Sequence, residues 1–220
     1  DELGNPPRCG WYFLDDYAMW FGQREEHLAD ILALSPQRRG DQLVLLGLIS
    51  EAKYVGRGAL ADARRSSAVQ LRETVLRMQE ALFGNPSRLD RDLWLARLAD
   101  IILDGIEIPA TEGNTLHQWR DSIRNGTAPL LLKGYSHVFV HSQEADAADP
   151  SERVPLTNVN HAWQEVYGRD QVRQLVLAYH RRESPRGIRG GLGDDAPWDE
   201  GDPTPPSARE RRARPSIPPS

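Results

Sequence analysis

The feature that most constrains this chain is the run from Ala59 to Phe83. Within it Ala68, Leu71, Val75, Met78 and Leu82 step by three, four, three and four, and Val69, Leu76 and Phe83 widen the stripe. That spacing returns to one side of a 3.6-residue helix, so the run is predicted to be a long amphipathic helix whose apolar side other elements must cover. The same reasoning predicts a helix over "LDDYAMWFGQREEHLADILAL", closed by Ser35-Pro36. A third, mostly buried helix is expected in "DQLVLLGLISEAKY", which is apolar almost all round.

After the break at Gly84-Asn85-Pro86, "RLDRDLWLARLADIILD" repeats the helical pattern with Leu89, Leu93, Trp94, Leu98, Ile101 and Ile102 on one side. Only "LLLKGYSHVFVH" departs from it. There Val138 and Val140 alternate with His137, Phe139 and His141, and Gly134 is placed to turn one short strand back on another, so a small hairpin near 130–141 is expected. Helices are expected again around "NHAWQEVY" and "RDQVRQLVLAYHRRE". The resulting expectation is a mainly α fold: a multi-helix globular domain over residues 1–183 with one small β-hairpin, followed by a tail over 184–220. The tail is rich in Pro, Gly and Arg, with too little apolar surface to offset the entropy of ordering, and is expected to be disordered.

A net charge of −5 and a sequence pI of about 5.7 argue against a surface built wholly for nucleic acid or anionic lipid, so such contacts require a local patch. No stretch approaches the roughly 18 apolar residues of a membrane span, so no membrane insertion is expected. Cys9 is the only cysteine, which excludes an internal disulfide and fits the cytoplasm or another reducing compartment. The chain begins at Asp1, which leaves room for a removed leader. Only Lys53 and Lys133 among the 27 basic residues are lysines; a bias this uniform points to a GC-rich coding sequence and carries no functional weight.

Several constellations bear on chemistry. Ser136 in "KGYSHV" sits where a nucleophile elbow has its serine, but Val138 replaces the second glycine and no series of strands precedes it. His137 and His141 are four apart, a chelating distance on a helix but about 13 Å on a strand, and with His161 and His180 they make no recognisable metal motif. The adjacent pairs Asp15-Asp16 and Glu25-Glu26 diverge on a helix. No catalytic residue, metal site or cofactor is therefore assigned, apart from what two resemblances imply.

Arg173 and His180, with Gln174 after the arginine, resemble the Arg-x(4–6)-His motif of HEPN ribonucleases. That likeness implies an all-helical, often dimeric ribonuclease with these two residues in its active site. "TLHQWRDSIRNGTAP" resembles the second helix of helix-turn-helix proteins, with Leu116, Trp119 and Ile123 as its anchoring stripe. It implies a nucleic-acid-binding protein in which His117, Arg120 and Arg124 reach the groove, assisted by Arg181, Arg182 and the basic tail. The reading favoured over both is a non-catalytic helical subunit or adaptor that contributes interfaces to a larger assembly, with Trp198 in "DDAPWDEGD" as an anchor for a protein partner.

Overall fold

The structure, a computed structural model, describes residues 9–21, 28–39, 42–84, 88–106, 113–141, 152–183 and 188. It is an α/β fold. Six strands form one mixed sheet: β1 (Gly10–Phe13), β2 (Ile31–Arg39), β3 (Gln42–Val55), β4 (Leu130–Val140), β5 (Glu152–Pro155) and β6 (Ala162–Tyr167). They lie in the order β1-β2-β3-β4-β6-β5. The three central strands, β3, β4 and β6, run parallel, and β1, β2 and β5 are antiparallel to their neighbours. Between them come α1 (Ala18–Phe21), α2 (Leu60–Phe83), α3 (Arg91–Gly105) and α4 (Gly113–Arg124), and α5 (Arg169–Arg181) follows β6.

The expected mainly α fold is thus overturned, for a reason visible in β3. Val44, Leu46 and Leu48 face one side of the sheet, Leu45 and Ile49 face the other, and all five are buried. A strand covered on both faces reads as an unbroken apolar run, and periodicity alone does not separate it from a buried helix. The helix expected at "NHAWQEVY" is also overturned: the segment supplies β6, in which the polar Gln164 and Glu165 are buried beside Ala162, Val166 and Tyr167. The helix expected from residue 14 is a single turn at Leu14–Tyr17, the short α1, and then β2.

The expected hairpin near 130–141 is one continuous strand, β4, paired on both edges. Gly134 does not turn the chain. It lies under α2, where a Cβ would stand 2.9 Å from Val75 Cγ2, so its missing side chain lets the helix approach the sheet. Leu71, Val75, Met78 and Leu82 of α2 then pack on Leu32, Leu34, Leu45, Ile49, Leu130 and Leu132 of the sheet. Leu98, Ile101 and Ile102 of α3 and Ile123 of α4 complete the same core.

A polar line of contacts closes the upper end of this interface. Ser67 Oγ of α2 is 2.6 Å from Ser136 Oγ of β4, and Gln164 Nε2 of β6 donates to Ser136 Oγ at 3.1 Å and to the Arg64 carbonyl at 2.8 Å. Arg64 Nε donates in return to Gln164 Oε1. These bonds seat the first half of α2 over β4 and β6, leaving the β3 side uncovered by them. No helix among the described residues is long and apolar enough to cross a membrane. Val75 has no solvent exposure, so Val75→Asp should cost at least about 3 kcal/mol in denaturant unfolding by burying an unpaired carboxylate. A loss below about 1 kcal/mol would show that α2 is not seated as described.

Candidate active site

Where β2 begins, the ladder between β2 and β3 stops at the pair Ile31 and Ser50, while β3 runs on to Val55. The next amide of β3 on that edge therefore lacks a strand partner. Asp30, the residue before β2, supplies one: its Oδ2 accepts from Ala52 N at 2.8 Å. This bond fixes the Asp30 carboxylate beside Glu51. Positions 49, 51 and 53 of β3 share the face that α2 packs on, because side chains alternate along a strand. Glu51 and Lys53 are thus neighbours on one face, with Lys53 Nζ 2.7 Å from Glu51 Oε1.

The three groups span a gradient of exposure. Glu51 is wholly buried, the Lys53 side chain is 31% exposed, and Asp30 is exposed. Neither oxygen of Glu51 receives a well-directed hydrogen bond, although the ammonium of Lys53 is within ion-pair distance of one of them. Burial pushes the Glu51 carboxyl up to about 7; Lys53 works against this shift and the nearby Asp30 charge adds to it. A buried carboxylate, an exposed carboxylate and an ammonium thus converge at the carboxyl end of a central parallel strand. Open α/β sheets place their ligand sites at such strand ends.

Two carboxylates with open oxygen positions suit a hard divalent cation such as Mg²⁺, which is held by one or two carboxylates and otherwise keeps water or takes phosphate oxygens. Among the described residues no three or more His, Cys, Asp or Glu side chains gather as a metal site, so a closed site of the zinc type is not formed by them.

The residues singled out from the sequence lie elsewhere. Ser136 is buried in the Ser67–Ser136–Gln164 contacts, bonded to another hydroxyl and an amide rather than to a base. His137 is on the opposite face of the sheet, with Nδ1 3.4 Å from Glu165 Oε2. His141 stacks on Tyr54 and His161 is an exposed turn residue at φ 58°. Asp15 and Asp16 are exposed in the turn before α1. Trp119 and Ile123 pack inward from α4, and His117 and Arg124 are exposed.

Arg120 is engaged within the fold, with Nη2 3.0 Å and Nε 3.2 Å from Asp100 Oδ1 of α3. Arg173, His180, Arg181 and Arg182 are all exposed on or just after α5. None of these joins the Asp30–Glu51–Lys53 group. Glu25, Glu26 and Trp198 lie outside the described residues, as do the tail positions other than 188.

Sequence reading missed the convergent group because it placed Glu51 and Lys53 on a helix, where residues two apart point away from each other. On a strand the Glu-x-Lys spacing puts both side chains on one face, and an acid just before the preceding antiparallel strand completes the set. The chain matches no family model, and no similar curated protein or solved structure was found.

The Glu51 carboxyl, ordinarily near 4.5, titrates near 7 in the folded chain. Between those values the folded state holds a proton that the unfolded state has released, so stability should fall as pH rises through this window and level off above it. Glu51→Gln should remove that slope in thermal unfolding measured from pH 4.5 to 8. An unchanged slope would mean that Glu51 is not buried as described.

Proposed function

We propose that the chain hydrolyses phosphodiester bonds in nucleic acid with the help of a divalent cation. The observation that carries this reading is the convergence of Asp30, Glu51 and Lys53 near the end of β3, with Glu51 buried, Lys53 partly exposed and Asp30 exposed. When bound, the cation supplies a water of lowered pKa and neutralises charge on the scissile phosphate. Asp30 and Glu51 would hold it, and Lys53 would exchange its contact with Glu51 for the phosphoryl oxygen on which negative charge grows. A compact ammonium suits that exchange, since it has three rotatable donors.

A polymeric substrate is favoured by the exposure of Asp30 and of part of the Lys53 side chain. Arg57, Arg64 and Arg65 lie within twelve residues of Lys53, and Arg65 is 77% exposed. Arg64 is taken up by Gln164 and Glu152, and Arg65 lies 3.7 Å from Asp62, so these side chains would meet a backbone phosphate only by exchanging those partners. The nucleic-acid alternative of the sequence reading thus acquires a different location. Arg120 and Arg124 belong to α4, which leads into Leu130 opposite Leu45, six residues and about 20 Å along β3 from Glu51.

The adaptor reading keeps one observation in its favour. Val176, Leu177 and Tyr179 of α5 are 50%, 40% and 82% exposed, an apolar side that a protein partner would cover. The stripe of α2 no longer supports it, because Leu71, Val75 and Met78 are buried in the chain's own core.

The test is cleavage of end-labelled oligonucleotides by the full chain with Mg²⁺ or Mn²⁺ and with chelator. Cleavage should require the cation, and Asp30→Asn, Glu51→Gln and Lys53→Met should each reduce it by at least about 100-fold, the scale of losing one transition-state contact. Cleavage that persists in chelator, or that survives Glu51→Gln, would refute the reading.

A further inference from the structure

Asp30 is an exposed residue outside the sheet ladder, yet its position is fixed from three sides. Its Oδ2 accepts from Ala52 N of β3, and its backbone carbonyl accepts from Leu14 N of the turn before α1 at 2.9 Å. The third hold comes one residue earlier, from the helix: Ala29 N donates to Thr74 Oγ1 of α2 at 3.0 Å. Thr74 Oγ1 in turn donates to the Gln70 carbonyl at 2.9 Å, and Gln70 Nε2 donates to the Leu28 carbonyl at 3.5 Å. One turn of α2 thus clamps both residues that lead into Asp30.

Packing alone does not explain Thr74. It has no solvent exposure and sits on the inward side of α2 with Leu71, Val75 and Met78. Valine would fill the same space without a polar atom to satisfy. What the hydroxyl adds is an acceptor for Ala29, a wholly buried residue that precedes the ladders of β2 with both of its neighbours, since these begin at Ile31. A buried amide left without an acceptor is costly, so this bond decides where the chain enters β2.

The two carboxylates of the site are therefore held in different ways. Glu51 is carried by a strand and lies opposite Ser136 of β4, whereas Asp30 depends on the contacts of the residues around it. Groups that orient a metal ligand set the affinity of the site nearly as much as the ligand does. We propose that Thr74 is a positioning residue for the divalent cation: by holding the Ala29 amide it keeps the Asp30 carboxylate where one cation can bind it together with Glu51. This inference rests on the cation reading of the Asp30–Glu51–Lys53 site. Thr74 acts through Asp30 and takes no part in the chemistry itself.

The experiment titrates Mn²⁺ into the full chain by calorimetry, without substrate. Thr74→Val keeps the shape of the side chain and removes the acceptor, and should weaken Mn²⁺ binding by at least about 10-fold, the scale for losing a partner that orients a metal ligand. Thr74→Ala, a smaller side chain and a better helix former, should do the same. Thr74→Ser keeps the hydroxyl and should restore binding. Leu82→Ala is the control for stability: it opens a cavity in the same core near the end of α2, and should lower the melting temperature without changing Mn²⁺ affinity.

Native affinity in Thr74→Val and Thr74→Ala, no recovery in Thr74→Ser, or an equal loss in Leu82→Ala would overturn the proposal and leave the cation site standing, because the contact would then serve the fold alone. A native chain that binds no Mn²⁺ would instead refute the cation reading, and this inference with it.

Discussion

Helix α2 lies flat on β4 because Gly134 has no side chain to hold it off, and much of the structure depends on that contact. With Val75 seated over the gap, Leu71, Met78 and Leu82 cover the apolar half of the sheet. Ser67 is carried onto Ser136, and the bonds through Gln164 to Arg64 hold the start of the helix over β4 and β6. Those bonds leave the end of β3, from Glu51 onward, at the border of the core, whereas Leu45 and Ile49 lie within it. Glu51 sits on that border, in the same row of the sheet as Ser136 and Gln164, with Asp30 and Lys53 between it and solvent.

A carboxylate in such a place is costly for the fold. Burial pushes it toward its neutral form, the Asp30 charge pushes it further, and one ammonium at 2.7 Å only partly offsets both. A purely structural position would be served by an apolar residue, as at Ile49 two residues earlier on the same face. Under the proposed reading, the two carboxylates would be oxygen ligands whose mutual repulsion a divalent cation relieves, beside an ammonium that would leave Glu51 for a phosphate. Site chemistry and local instability thus have one origin.

How much of this could be read from the sequence depended on whether an element is covered on one side or two. α2, α3, α4 and α5 each have an exposed side, so their apolar residues recur at helical spacing and were legible. So was the inward packing of Trp119. The first half of β3 and most of β4 are covered on both faces, and their near-continuous apolar runs concealed the period of two. The site was lost together with the strand, because Glu51 and Lys53 form a pair only in extended backbone. Asp30 gave no local signal at all, since its role comes from where β2 ends against β3.

The central claim is that Asp30 and Glu51 form one oxygen-ligand site for a divalent cation. Anomalous diffraction from a crystal of the full chain grown with Mn²⁺ tests it most directly. The account predicts an anomalous peak bonded to carboxylate oxygens of both residues at about 2.0–2.3 Å, with the Lys53 ammonium moved off Glu51. A map with no peak there, and Lys53 still paired to Glu51 at saturating Mn²⁺, would contradict it.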